Sequence, residues 1–401
     1  MKIGVIVDND LNSDIRVLRE IKLLQKVGYE VVALCFSFNK KNYSPIENLK
    51  VVRIDIEKSK KNKLYFLYHL LPGYKNLWSS NIAKFIDGED LDALHVHDLY
   101  MALSAKKGIE KSKKDIPFSL DLHENYPTAI KSYNWTKGLI RSRLVMAEKW
   151  EKLEGPYLKM ANHIIVLSED FKLDLSKKHN LKKEKFFIIP NVPELNLMSR
   201  EAKSSIPQNI LNFKNSDDVL FFYFGVIGQR RGIFETLEAF QNVVKKNDNC
   251  KLLLIGPIDN ADKEAFHELS KGLVEKGKML YEPWINLKDL PVYLDFVDVG
   301  LAPFLKNPQH ESGIANKIFQ YMYGEIPVLA SNCKPQQDLL EKEKAGLIFS
   351  SSKEQEQMIL KLAEDQNLRN ELGKNGFTAV KEKYNIDLYQ NEMKKAFSFN
   401  P

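Results

Sequence analysis

Three groups of residues in this chain have the types and spacing to do chemistry. The first lies in Ser312–Ser331, SGIANKIFQYMYGEIPVLAS, where a polar, glycine-containing loop opens a short helix. Gly324 closes that helix, and a buried strand, Val328–Ala330, follows Pro327. On the helix, Ala315, Ile318, Phe319 and Met322 repeat as one apolar stripe, while Asn316, Lys317, Gln320 and Tyr323 share another face. The free N–H groups at Gly313–Asn316, next to Ser312, form a helix start that attracts anions. The second group is Gly225–Gly232, GVIGQRRG, set between the apolar strand LFFYF and a helix, Ile233–Val244. Gly228 and its companions allow close backbone approach, and Arg230 and Arg231 can fork onto phosphate oxygens. The third is Asp98, His123 and Glu124, polar groups at the ends of apolar strands in HVHD and DLHENYP.

The elements that must position these groups are legible as apolar runs alternating with helical stretches. Strands are expected at Ile3–Val7, Val31–Phe36, Val51–Ile54, Ala93–Val96, Phe118–Leu120, His163–Leu167 and Phe186–Ile189. A second series follows at Leu220–Phe224, Lys251–Ile255, Met279–Tyr281, Val297–Leu301, Val328–Ala330 and Gly346–Phe349. Continuous rather than alternating apolar strands, separated by helices, read as parallel sheets covered on both faces. The first helix, Asp14–Val27, has Ser13 and Asp14 as caps and ends at Gly28. The pattern runs twice, so the expected fold class is α/β, with two doubly wound Rossmann-like domains facing a central cleft. Ligands of such sheets bind beyond the carboxyl ends of the strands. That rule adds Asn9, Asp10, Asn12 and Asp14 after the first strand, Pro257 and Trp284 in the second domain, and the loop Phe304–Asn316.

Composition narrows the functional classes. At 401 residues the chain exceeds the usual size of a single core, and 44% apolar with 28% charged residues is ordinary for a globular protein. Cys35, Cys250 and Cys333 lie far apart without metal spacing, as expected of small apolar residues in a reducing compartment. MKIGVIVD runs straight into a strand and no apolar run reaches the roughly 18 residues of a membrane span, so a cytoplasmic protein is expected. Residues 1–190 carry 33 Lys+Arg against 24 Asp+Glu, a balance of +9, whereas the whole chain carries +6. A basic first half suits an anionic partner such as a lipid surface. No basic segment accompanies a recognition element, which argues against nucleic acid. His95, His97 and Asp98 could also begin a metal site, but no further cluster stands at recognisable spacing, and no metal is expected. Asp295 and Asp298, in DFVDVG, read as caps at a buried strand.

The order of these pieces resembles the GT-B-fold glycosyltransferases, in particular the retaining nucleotide-sugar enzymes of glycosyltransferase family 4 and group 1. SDIRVLREIKLLQKVGYEV, LDALHVHD, DLHENYP, HIIVLSED and IIPNVPE resemble the family's first domain. FFYFGVIGQRRGI, KLLLIGP, LPVYLDFVDVGLAPF and NKIFQYMYGEIPVLAS resemble its donor domain. The resemblance implies an acceptor-binding domain over residues 1–200, a donor-binding domain over 201–380, and a C-terminal helix within 381–401 that returns to the first domain. It implies sugar transfer from a nucleoside diphosphate to a hydroxyl acceptor, with the nucleotide sugar as co-substrate and no cofactor. His123, Asp98 and Glu124 would serve the chemistry. Gly228, Arg230, Arg231, Pro257, Trp284, Glu311, Ser312, Gly313, Asn316, Lys317 and Gln320 would hold the donor. Asn9, Asp10, Asn12, Asp14, Arg16 and Tyr126 would meet the acceptor. Three positions depart from the family pattern: Gln320 stands where a glutamate is usual, Glu311 lies nine residues before it rather than eight, and Val226 replaces an arginine. A non-catalytic partner subunit and a nucleotide-sugar epimerase of the same fold stay open as alternatives. Finally, Lys58–Lys63 runs into LYFLYHLLPGYKNLW, and Lys106, Lys107, Lys111, Lys113 and Lys114 add a second basic cluster. Such a surface suits peripheral contact with the inner face of the cell membrane and a lipid-linked glycan acceptor.

Overall fold

Among the described residues thirteen strands form, at the thirteen apolar runs read from the sequence, and they gather into two separate parallel sheets. The computed structural model describes every residue except 39–42, 133–145, 196–204, 285, 287–288, 308 and 400–401. The chain divides into two compact units: Met1–Pro190 together with Ile386–Pro401, and Asn191–Asn385.

In the first unit, strands β1 (Lys2–Val7), β2 (Glu30–Phe38), β3 (Lys50–Ile56), β4 (Ala93–His97), β5 (Phe118–Asp121), β6 (His163–Val166) and β7 (Phe186–Ile188) lie in the order β3-β2-β1-β4-β5-β6-β7. The inner strands are near-continuous apolar runs buried on both faces: β1 is KIGVIV, and everything from Ile3 to Val7 is inaccessible or nearly so. Helix α1 (Ile15–Lys26) returns the chain from β1 to β2. Asp14 caps it, its carboxylate accepting from the Val17 N–H at 3.2 Å. Helices α2 (Lys58–Phe66), α3 (Gly73–Glu89) and α4 (Ala102–Lys111) follow. Trp78 and Tyr74 of α3 are fully buried, Trp78 against Phe36 and Tyr74 against Tyr65 and Tyr68. The end of the chain belongs to this unit. The helix Gln390–Ala396 is held by Ser119 Oγ and His163 Nδ1, 2.6 and 2.9 Å from the Ala396 carbonyl. Phe397 packs on Tyr29 and His95.

The second unit orders β8 (Val219–Phe224), β9 (Cys250–Ile255), β10 (Met279–Glu282), β11 (Val299–Ala302), β12 (Val328–Ser331) and β13 (Gly346–Phe349) as β10-β9-β8-β11-β12-β13. Every residue of β8, VLFFYF, is buried. The helix Ile233–Lys246 follows β8, and the helix Asn316–Tyr323 precedes β12. Asp295 lies in the helix Leu290–Phe296 rather than entering a strand, because β11 begins only at Val299. Asp298 accepts from the Leu220 N–H at 2.7 Å and pairs with Lys214, which ties the start of β11 to β8.

Both sheets reverse their winding at a defined strand pair. β1 lies between β2 and β4, and β8 lies between β9 and β11. In open parallel sheets the crevice outside the carboxyl ends of such a pair is where ligands bind. The three groups of reactive residues all follow the carboxyl ends at or beside these switch points. Among the described residues, no helix is long and apolar enough to cross a membrane. Cys35, Cys250 and Cys333 are buried and unpaired, as their packing role requires.

Candidate functional site

In the second unit, β8 delivers the chain to Gly225, whose φ of +118° is a conformation that side chains resist. The loop then folds tightly on its neighbours. A Cβ on Gly232 (φ +72°) would stand 1.7 Å from the Pro303 carbonyl oxygen, so only glycine fits there. A Cβ on Gly228 would meet Asp262 Oδ2 at 2.6 Å. The loop's glycines thus serve contact with adjacent turns of the same unit. What the loop offers a ligand is cationic. Gln229–Arg231 forms one turn of 3-10 helix, and Arg230 and Arg231 are both half-buried, with Arg230 Nη1 buried and without a hydrogen-bond partner.

Lys317 points toward the same place. The sequence reading displays it on an outer helix face beside Gln320. The structure turns its Nζ back onto the carboxyl end of β8, 2.6 Å from the Phe224 carbonyl and 3.4 Å from the centre of the Tyr223 ring. Burial, reinforced by the charge of Arg231, holds its ammonium pKa well below the ordinary value. The same three cations act on His310. Burial first, then Arg231, Arg230 and Lys317, lower its pKa to about 4, even though its bond to the Leu305 carbonyl raises it. His310 is therefore neutral, and it donates from Nδ1 to the Leu305 carbonyl at 2.7 Å. Three positive groups converge at the carboxyl edge of β8, and a like-charge cluster of this kind calls for an anion.

The helix Asn316–Tyr323 supplies the rest of that edge. No side chain caps its start at Ala315, which leaves first-turn N–H groups for another acceptor. Ile318, Phe319 and Met322 are fully buried, as the apolar stripe requires, and so is Tyr321, whose hydroxyl reaches the Phe222 carbonyl at 3.2 Å. The helix closes at Gly324 (φ −72°), whose N–H donates to the Gln320 carbonyl, and Glu325 beyond it takes the left-handed conformation at φ +61°. Of the remaining donor-side candidates, Gly313, Asn316 and Gln320 are half-buried. Ser312 is buried and donates to the Gln309 carbonyl at 2.7 Å. Glu311 accepts from the Lys334 N–H at 2.9 Å, so its carboxylate caps the helix Lys334–Glu343. Pro257 and Trp284 are exposed, the indole at 74%.

The first unit holds a different arrangement. Asp98 follows β4 at φ +73°, and the Tyr100 hydroxyl donates to its Oδ2 at 3.0 Å. His123, two residues beyond β5, places Nδ1 3.7 Å from Asp98 Oδ1 and Nε2 3.1 Å from Asp121 Oδ2. Glu124 is half-buried beside it. Behind them runs a buried network that the sequence reading does not assemble. Arg16 Nη2 lies 3.0 and 3.1 Å from the two Asp121 oxygens, and its Nε donates to Glu20 Oε1 at 3.1 Å. Glu20 Oε2 stands 2.9 Å from His95 Nε2, and His97 Nδ1 lies 2.8 Å from His123 Nε2. Arg16, a candidate acceptor contact, is thus part of a buried ion network.

Glu20, His95, His97 and Asp121 are all buried and present ligand atoms within 4.8 Å of one another, the cluster that the spacing of the sequence does not predict. A divalent cation fits them poorly, because Arg16 already bonds both carboxylates and brings the positive charge such an ion would supply. The acids divide accordingly. Burial and the neighbouring Asp121 raise Glu20 to about 7, while Arg16 and then His123 hold Asp121 well below the carboxylate range against its burial.

Most of the remaining acceptor-side candidates are engaged locally. Asp10 accepts from the Asn12 N–H at 3.1 Å, Asn12 donates to the Ser44 carbonyl at 3.0 Å, and Asp14 is the cap of α1. Asn9 is exposed, and its carbonyl accepts from the Phe36 N–H. Tyr126 is buried among Tyr100, Trp150 and the Tyr65 hydroxyl.

Comparison with known proteins decides the family. The model of the Glycosyltransferase Family 4 domain matches residues 15–195, and that of the Glycosyl transferases group 1 matches residues 209–379. The chain belongs to the GT-B glycosyltransferases of family 4 and group 1. Among curated relatives it is 25% identical over 248 residues to the capsular polysaccharide biosynthesis glycosyltransferase CapM of Staphylococcus aureus. That match takes in 59% of this chain and 62% of CapM, less than two thirds of the relative. Among solved structures, sucrose-phosphate synthase from Thermosynechococcus elongatus superposes with a TM-score of 0.77 at 17% identity, covering 99% of this chain and 98% of that one. HepE from Anabaena, solved in complex with UDP, superposes at 0.67 with 13% identity, covering 99% and 100%. At these identities the structural likeness establishes the GT-B fold.

Within this GT-B glycosyltransferase the sequence reading missed Asp121, Glu20, Tyr223 and His310. Asp121 left a usable signal, since it stands at the carboxyl end of the apolar strand Phe118–Asp121, where ligands of such sheets bind. His310 left none, because its placement depends on the fold of an irregular loop.

Proposed function

We propose that this protein transfers a sugar from a nucleoside-diphosphate sugar to a hydroxyl group of a glycan or lipid-linked acceptor, with retention at the anomeric carbon, in the assembly of a polysaccharide. The observation that carries the reading is the convergence of Arg230, Arg231 and Lys317 on an uncapped helix start at the carboxyl edge of β8. The energetic difficulty of such a transfer is the charge that develops on the departing diphosphate as the C1–O bond breaks. Three cations and fixed N–H dipoles at one edge suit that charge, and they need no reorganisation as it appears. The new bond joins C1 to the acceptor oxygen, and the acceptor's proton passes to the leaving phosphate oxygen, so no strong base is required. With the cations supplied by side chains, the transfer needs no metal. The UDP carried by HepE and the capsular role in the name of CapM favour a nucleotide-sugar donor and a surface-polysaccharide product. The test is product analysis: incubation with a panel of nucleotide sugars and acceptors, with and without EDTA, and NMR of the new anomeric centre. A product of retained configuration, undiminished by EDTA, supports the reading. Inversion, or loss of turnover with EDTA, overturns the corresponding part of it.

The acceptor side carries a surface suited to a membrane. Leu70 and Leu71 are 44% and 54% exposed between α2 and α3. Lys75 feels the charges of Lys107 and Lys149 in addition to its own partial burial. Part of the basic run is committed elsewhere: Lys61 pairs with the buried Asp8 at 3.2 Å, and Leu64, Tyr65 and Phe66 pack against the core. The two leucines with lysines around them favour shallow contact with anionic lipid, where a lipid-linked acceptor resides. Sedimentation with phosphatidylglycerol vesicles tests this, and binding that is absent at low salt would remove it.

A further inference from the structure

The buried network under His123 fixes more than that ring's position. His123 faces a carboxylate on each side. Nε2 lies 3.1 Å from Asp121 Oδ2, and Nδ1 lies 3.7 Å from Asp98 Oδ1. A bare nitrogen lone pair at either place would point at negative charge, so each nitrogen is best served by carrying a proton. His97 Nδ1 stands 2.8 Å from His123 Nε2 and 3.2 Å from Asp121 Oδ2, so the two rings share the Asp121 carboxylate. Burial and the adjacent His95 keep His97 neutral by lowering its pKa. Both carboxylates are held by other partners. Asp121 is clamped by both of its oxygens to Arg16, and Asp98 is held in a left-handed backbone conformation with Tyr100 on its far oxygen.

We propose that Asp121, held ionised by Arg16, is a positioning residue that keeps His123 as an imidazolium, so that His123 meets the transfer as a proton-bearing cation and not as a general base. This rests on the glycosyl-transfer reading for its use, although the charge state itself does not. The distances leave Nδ1–H available, because 3.7 Å to Asp98 is too long for a hydrogen bond. A sugar hydroxyl or phosphate oxygen can therefore take that hydrogen bond. The charged and titratable groups around the ring include Asp98 beyond β4, His95 and His97 on β4, Asp121 on β5, and Arg16 and Glu20 on α1. Burial and Arg16 oppose the charge, whereas Asp98 and Asp121 favour it and prevail, raising the ring to about 9.

The experiment is a pH titration of the ring carbons of 13C-histidine-labelled protein, with His123 assigned by its absence in the His123→Gln variant. The expected midpoint in the unaltered protein lies above 8. Removing an adjacent opposite charge moves a pKa by about one to three pH units, so Asp121→Asn should lower the midpoint by that much. The part-exposed Asp98→Asn should lower it less, and it serves as the readout if Asp121→Asn does not fold. The profile of kcat/KM should fall as pH rises through the same midpoint, and in the variants that fall should move to lower pH in step. A His123 midpoint at or below 6.5, or one unmoved in the variants, overturns the proposal. So does a profile that rises through the midpoint, which is the mark of a base. A high midpoint in a protein that transfers no sugar refutes the functional reading while sustaining the charge assignment.

Discussion

Replacing Lys317 with methionine separates the two consequences of burying a cation with no acid beside it. The ammonium lies 2.6 Å from the Phe224 carbonyl and over the Tyr223 ring, with Arg231 adding repulsion. At about 4 Å from a phosphate oxygen, one such charge is worth about 4 kcal/mol of gross attraction at an effective dielectric of about 20. Its bond to Phe224 and the hydration of the free ligand offset much of that. The net loss should resemble other charge-assisted hydrogen bonds, about 1.5–3 kcal/mol. Affinity for UDP or GDP, whichever the protein binds, should therefore fall roughly 10- to 150-fold by calorimetry. The ligand-free protein should not suffer. Methionine fills a similar volume without the desolvation cost, which offsets the lost contacts, so its melting temperature should hold or rise. Most lost functions come with lost stability, so this combination is distinctive. If Lys317→Met bound the nucleotide as tightly as the unaltered protein, the donor site would not be where these cations converge. If the variant melted well below the parent, the account of Lys317 as an unbalanced buried charge would be wrong.

Other expectations follow from individual contacts. Glu325→Gly should stabilise the second unit by about 1 kcal/mol, since the exposed Glu325 holds a left-handed backbone that glycine adopts freely; a lower melting temperature would contradict this. Gly232→Ala should destabilise that unit and abolish nucleotide binding together, because its Cβ cannot avoid the Pro303 carbonyl. The Leu70→Ser, Leu71→Ser double variant should lose vesicle sedimentation while keeping nucleotide affinity. Folding stability should also depend on His123. Its pKa is raised from 6.5 to about 9, so its contribution is complete below about pH 6.5 and disappears as pH rises through about 9. Denaturation midpoints measured between pH 6.5 and 9.5 should fall less steeply in His123→Gln than in the unaltered protein.

The strands were readable because a parallel sheet buried on both faces leaves a contiguous apolar run, as in VLFFYF and KLLLI. Their alternation with helices was enough to imply two doubly wound sheets, and strand ends then pointed to the ligand side. Cap residues such as Asp14 were legible because capping is local. What sequence could not supply was the partner of each polar group across the fold. Arg16 and Asp121 are 105 positions apart, and only the β1-β4-β5 order brings α1 over the end of β5. Consequently the ion network of Arg16 was not legible, and Asp121 did not register at all. Lys317 read as outward-facing for a related reason. Its helix presents it toward β8, and a long side chain can bend to a carbonyl that spacing on the helix does not reveal. Gly324 was legible as the residue that closes its helix, and only the left-handed turn one residue later, at Glu325, was not.

The central claim is that the carboxyl edge of β8 binds the diphosphate of a nucleotide-sugar donor. The most direct measurement is the crystal structure of the protein with a nucleoside diphosphate selected by thermal shift. The account predicts phosphate oxygens within hydrogen-bond distance of Lys317, of Arg230 or Arg231, and of the first-turn N–H groups of the helix Asn316–Tyr323. A diphosphate seated elsewhere, with Lys317 still on the Phe224 carbonyl and the helix start unoccupied, would contradict it.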